Sequence, residues 1–211
     1  MEKTCLIITG GEDSGNIAAE HCPDMVIACD SGYHYAEAYG IVPDLIIGDF
    51  DSAEYPKCTE IPVLRYPSEK DDTDTMLAAR YAVQCGCTKV QILCGLGGRL
   101  DHAIANIQCA AFIASQGGTA EIYGKNDIIT VFSGSRDFPQ RKGWSLSVFS
   151  LTDRSEGVSI KGTAYEATDV ELTSSFPIGV SNRCDSENAH ISAKTGMLMV
   201  IQSRLKAGEH N

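Results

Sequence analysis

The chain has 211 residues, 43% hydrophobic and 21% charged, enough to bury one sizeable core or two small ones in separate domains. Its 28 acidic and 17 basic residues leave a net charge of −11, which argues against a nonspecific nucleic-acid binder but not against a phosphorylated small molecule bridged by a cation. No basic-then-apolar leader or membrane-length apolar run is present, and the nine cysteines, several in strand-like runs, read as small hydrophobes, so a reduced, cytoplasmic protein is expected.

Residues 5–9 predict a first strand, ending in Gly10-Gly11. Residues 25–29 predict a second, ending at Asp30-Ser31-Gly32, and residues 45–47 a third, ending at Gly48-Asp49. A weaker strand at 63–66 precedes a helix over 73–85, marked by Met76, Leu77, Ala79, Tyr81 and Val83, with Asp72 or a neighbour as cap and Gly86 as stop. The strong strand 90–94 ends in Gly95-Leu96-Gly97-Gly98 and feeds a second helix over 100–115. Strands at 120–123 and 128–132 complete the series. Buried runs separated by helices indicate a parallel sheet with crossover helices, whose ligands gather beyond the carboxyl ends of the strands.

Residues 133–137 read as a turn or linker. Beyond it stand only short β-like pieces, at 145–151, 157–160, 179–181, 189–192 and 197–201. The expected fold class is α/β. Residues 1–132 form a mostly parallel, Rossmann-like sheet with flanking helices, and residues 133–211 a small all-β, sandwich-like domain.

Three acidic segments fall at the predicted ligand edge. Asp49-Phe50-Asp51 sets two carboxylates on one side of an extended segment, with Phe50 turned toward the core. Aligned carboxylates repel unless a cation compensates, and Mg²⁺ suits them; an acidic loop on a solvated face has the same composition. Lys70-Asp71-Asp72-Thr73-Asp74 joins a cation to three carboxylates at a helix start. Lys70 can meet phosphates, Asp74 and one of Asp71 or Asp72 a metal, and Thr73 offers a hydroxyl near the cap. At least one member of this group should be only structural.

The third segment, Gly97-Gly98-Arg99-Leu100-Asp101-His102, is a glycine-rich turn entering a helix. It lacks the Lys-Ser/Thr ending of a P-loop, and Gly10-Gly11 lacks the dinucleotide spacing. What remains is a set of backbone amides open to an anion, Arg99 for phosphate oxygens, and Asp101 to bind a metal, orient an alcohol or accept a proton. His102 fits a packed or capping role as well as a functional one. Asp30-Ser31-Gly32 suits ribose hydroxyls or a phosphate, and equally a plain turn and helix cap. Cys85-Gly86-Cys87 resembles half a zinc site without a second pair at suitable spacing.

Taken in order, Gly10-Gly11, Asp30-Ser31-Gly32, the three acidic segments and Ser181-Asn182 resemble the thiamine pyrophosphokinase family over nearly the whole chain. The resemblance implies transfer of the diphosphate of ATP to the thiamine hydroxyl, giving thiamine diphosphate and AMP, with Mg²⁺. It also implies a homodimer with active sites between subunits; the acidic charge balance and the lack of a membrane-length apolar run point to no nucleic-acid or membrane partner. Asp49, Asp51 and Asp74 would serve metal and phosphates, Lys70 and Arg99 would steady the polyphosphate, and Asp101 would share their pocket. Gly11, Asp30, Ser31, Gly32, Asp71, Thr73, Gly98 and His102 would belong to the nucleotide side. Ser181 and Asn182 would approach thiamine, with Trp144 the candidate aromatic to stack on it. The family commonly has Glu after the Ser-Asn pair, where this chain has Arg183; a guanidinium facing a cationic ligand is unfavourable. Two other classes share parts of the pattern. A nucleotide-sugar transferase would use the Asp-x-Asp pair alone, and a thiamine diphosphate or nucleotide sensor would keep the fold without turnover.

Overall fold

The computed structural model describes residues 2–15, 23–49, 60–66 and 72–206. Asp51, Lys70 and Asp71, all expected at the site, lie outside the described residues. The chain divides into two compact units, Met1–Lys125 and Asn126–Asn211.

In the first unit the strands are β1 (Thr4–Ile8), β2 (Met25–Cys29), β3 (Leu45–Gly48), β4 (Val63–Arg65), β5 (Lys89–Leu93) and β6 (Thr119–Tyr123). They pair in parallel in the order β4-β3-β2-β1-β5-β6. All four residues of β3 are buried, as are residues 5–8 of β1, which is the continuous apolar pattern of strands covered on both faces. The helices are α1 (Gly32–Tyr39), α2 (Asp74–Gln84) and α3 (Leu100–Ser115). α2 buries Thr75, Ala78, Ala79 and Ala82, a stripe of small residues at helical spacing that lets its axis come close to the sheet. Across its other side Arg80 lies over the Phe112 ring of α3, 5.3 Å from its centroid. Among the described residues no helix is long and apolar enough to cross a membrane.

Of the helix α1 only the start was anticipated, as a turn and helix cap at Asp30-Ser31-Gly32. It buries only Gly32 and Ala36, so its apolar stripe is too thin to register in the sequence, although Gly40 ends it in the left-handed conformation typical of a helix stop. For α2 the cap is Thr73, whose hydroxyl accepts from Met76 N at 3.2 Å.

The second unit holds β7 (Asp127–Phe132), β8 (Ser135–Pro139), β9 (Trp144–Ser150), β10 (Arg154–Lys161), β11 (Ala167–Thr173), β12 (Asn188–Ser192) and β13 (Leu198–Arg204). Antiparallel β7-β13-β9 and β11-β10-β12-β8 enclose one core. Leu146, Val148, Leu198 and Val200 alternate inward from the first layer, and Val158, Ile160, Ala189 and Ile191 from the second. The unit is thus the expected small sandwich. Its start differs from the expected division at 132/133, because β7 pairs with β13 and so belongs to the second unit.

Two strands escaped the sequence reading. Within β8 only Phe138 is buried, and within β11 only Leu172, so neither shows the alternation that marks a half-buried strand. Conversely, residues 179–181 form no regular strand. They run beside β9 through Val148 N to Gly179 O at 2.7 Å and paired bonds between Leu146 and Asn182, but Ser181 turns to φ +60° and breaks the ladder.

Candidate active site

β1 leads on to β2, β3 and β4 on one side, while β5 and β6 lie on the other, which makes the β1–β5 boundary the switch point of the sheet. A cavity of about 570 Å³ lies there, within the first unit. Its walls are the turn after β1 (residues 9–12), the turn after β2 (Asp30, Ser31), the start of α2 (Thr73, Asp74, Thr75) and the 95–98 turn with the first turns of α3. The starts of α2 and α3 and the turn that opens α1 therefore meet at one space. Each helix start brings the positive end of a dipole, an environment for an anion in a chain of net charge −11.

Close backbone packing shapes this edge. A Cβ on Gly32 would collide with the Ile8 carbonyl, and one on Gly11 with the Cys94 carbonyl. Asp30 and Cys94, one at each side of the switch point, hold the left-handed region at φ +46° and +54°, which is uncommon for residues with side chains. Thr9 ties the two sides together: its hydroxyl donates to Cys94 O at 2.7 Å.

Of the residues expected on the nucleotide side, Gly11, Asp30, Ser31, Thr73, Gly98 and His102 line this cavity, together with Asp74 and Arg99. Gly32 is not part of the lining; it follows Ser31 as the first residue of α1. Asp49 follows β3 at the same edge, next to Gly48, which packs against Asp30, but it is not part of the lining. Asp101 is also outside the lining. Arg99 grips it in a fork, Nε to Oδ1 at 3.1 Å and Nη2 to Oδ2 at 2.6 Å, and His102 N donates to Oδ1 at 3.0 Å. The Arg99 guanidinium, more than any other group, holds the Asp101 carboxyl down at about 2, and the pairing raises Arg99 in turn. Asp72 is engaged by Arg80 on α2 at 3.0 Å, which makes it the structural carboxylate of its cluster.

Among the described residues no group of three or more His, Cys, Asp or Glu side chains gathers as a metal cage. The oxygen-only chemistry of Asp74 and Asp30 in the cavity, with Asp49 on its edge, nevertheless suits Mg²⁺, which takes one or two protein carboxylates and completes its shell with phosphate and water.

In the second unit Asn182 is buried and spends its amide on the protein itself. Nδ2 donates to Thr163 Oγ1 at 3.1 Å and Tyr165 O at 2.7 Å, while Oδ1 accepts from Tyr165 N at 3.0 Å and Arg183 N at 2.9 Å. It shapes the turn that carries Ser181, whose N donates to Ser147 Oγ at 3.1 Å. The Arg183 side chain turns to Asp185, Nε to Oδ1 at 2.9 Å. Trp144 lies between Arg141 and Arg204, whose guanidinium carbons are 5.6 and 5.7 Å from its ring centroid.

Sequence reasoning missed Glu12 and Asn106, both in the cavity wall. Asn106 donates to Gly95 O at 2.8 Å, pinning the glycine-rich turn onto α3. Its signal was there to read, since it is a polar residue in register with the buried Cys109, Ala110 and Ile113.

Fold and site together define an α/β unit with a polar cavity at its switch point, followed by a β-sandwich. Comparison with known proteins gives the family. Residues 19–121 match the sequence model of the thiamin pyrophosphokinase catalytic domain and residues 137–198 that of the thiamin pyrophosphokinase vitamin B1 binding domain. The chain belongs to the thiamine pyrophosphokinase family. It is 27% identical to a thiamine pyrophosphokinase of Bacillus subtilis, over 95% of this chain and 99% of that one. A crystal structure of the Bacillus subtilis thiamine pyrophosphokinase superposes with a TM-score of 0.86 at 23% identity, covering 96% of this chain and 99% of that one. A thiamin pyrophosphokinase family protein from Enterococcus faecalis gives 0.78 at 26% identity, covering 97% and 100%.

Proposed function

We propose that this protein is an ATP:thiamine diphosphotransferase. The observation that carries the reading is the switch-point cavity, where three helices begin beside Asp30, Asp74 and Arg99. Helix starts and Arg99 would bind polyphosphate oxygens, while Asp74 and Asp49 would hold Mg²⁺, with Asp51 completing the set. The bound cation would neutralise charge on the phosphoryl oxygens as it develops.

In the proposed step the thiamine hydroxyl oxygen attacks the β-phosphorus of ATP in line. The bond from that phosphorus to the oxygen shared with the α-phosphate breaks, and AMP leaves. Asp101, held down at about 2, is a weak base at neutral pH. Its part is to orient Arg99 and the alcohol, and the hydroxyl proton passes to water or phosphate. Positioning and charge stabilisation supply most of the acceleration. A homodimer belongs to the same proposal.

An assay of AMP and thiamine diphosphate formation from ATP, Mg²⁺ and thiamine tests it. Asp74→Asn and Asp49→Asn should each lower kcat/KM by about a hundredfold or more. ADP in place of AMP, or turnover of a sugar nucleotide with no response to thiamine, would overturn the assignment. Stoichiometric binding without AMP would make the protein a sensor.

A further inference from the structure

The turn after β1 carries Gly10 and Gly11 into the cavity wall, and side chains outside every sequence motif hold it there. Tyr35 of α1 donates its hydroxyl to the Gly11 carbonyl at 2.9 Å. Tyr39, one turn further along the same helix, donates to Asp13 Oδ1, and its oxygen also lies 3.6 Å from Cys94 Sγ. Asp13 Oδ1 accepts from Gly15 N at 2.8 Å, and Cys94 N donates to Ser14 Oγ at 3.2 Å, so the turn is tied to α1 and to the end of β5 at once. The two phenol rings stack with centroids 6.2 Å apart, as neighbours four residues apart on a helix can.

Neither phenol lines the cavity, so both act through the main chain they hold. The helix that carries them opens directly after Asp30-Ser31, another wall of the same cavity. Movement of the glycine turn relative to α1 would therefore change the distance between two surfaces meant for one ligand. We propose that Tyr35 and Tyr39 are positioning residues that fix the 10–15 turn against α1 and so set the affinity of the cavity for the nucleotide's polyphosphate. The proposal rests on the diphosphotransferase reading.

The variants are Tyr35→Phe, Tyr39→Phe and the double change, with Tyr33→Phe as control because its hydroxyl pairs with Glu37 on the same helix. Hydrogen exchange of the 10–15 amides in the ligand-free protein should quicken about fivefold to tenfold on loss of one such bond. The KM for ATP should rise by a similar factor, with kcat and the KM for thiamine within about twofold. Calorimetric binding of ATP with Mg²⁺ should weaken in step, and Tyr33→Phe should alter none of these. Unchanged exchange, or faster exchange with unchanged ATP affinity in the double variant, overturns the proposal. If the wild type makes no AMP, the diphosphotransferase reading fails, while exchange and calorimetry still decide the clamp.

Discussion

At the scale of single residues, the Arg99–Asp101 fork is the feature with the plainest chemical consequence. Asp101 titrates at about 2 instead of 3.8, chiefly because Arg99 bonds it. A depressed carboxyl contributes its favourable pairing in full above the unfolded value and loses it as pH falls through the folded one. The relevant window therefore runs from 3.8 down to about 2. Both side chains are well exposed, so the fork sets orientation more than stability. Arg99→Ala should raise the Asp101 midpoint from about 2 toward 3.8, read by carboxyl carbon NMR, whereas the wild type should show almost no titration above about pH 3. The pairing of these two residues was not legible in the sequence. Their types and spacing suggested phosphate and metal chemistry, but two adjacent opposite charges can turn outward to ligands or inward to each other, and only the helix start at Leu100 decides it. Asn182 illustrates the same point: the motif marks it for a ligand, while burial commits its amide to Thr163, Tyr165 and Arg183.

At the scale of elements, the sequence carries most where burial is continuous and least where it is thin. The start and stop of α3 were legible because its apolar stripe spans 16 residues. The edge strands β8 and β11 were not, because one buried side chain each makes no period. α2 lies between these cases, and its packing makes a sharp prediction. Ala78, Ala79 and Ala82 are fully buried, so no space remains for a longer side chain beneath the helix. Ala79→Leu should cost about 1–3 kcal/mol in urea unfolding by forcing the helix outward. The same displacement carries Thr73 and Asp74, at the start of α2, away from the cavity, so KM for ATP should rise well below the denaturation midpoint. Unchanged stability would mean that the sheet yields under α2 more readily than its burial suggests.

At the scale of the whole molecule, a net charge of −11 acts on any anionic ligand before it reaches the cavity. Contacts at the helix starts and Arg99 are short-ranged, whereas the repulsion is summed over the surface and falls away beyond a Debye length of about 10 Å at 0.1 M salt. Raising ionic strength from about 10 to about 150 mM should therefore increase kcat/KM for ATP with Mg²⁺. A fall would mean that the local positive field of the cavity outweighs the total. This balance was half visible in the sequence. Composition gives the total charge, but only the strand order that brings β1 beside β5 gathers the three helix starts where they oppose it.

The turn held by Asn182 also bears on how such a chain can diversify. Its bonds run to main-chain groups at 165 and 183 and to the Thr163 hydroxyl, and none of them uses the side chain at 183. Arg183 finds its own counter-charge in Asp185. The charge carried at position 183 can thus change sign without removing any of the Asn182 bonds that shape the turn, so charge and local shape are inherited separately there.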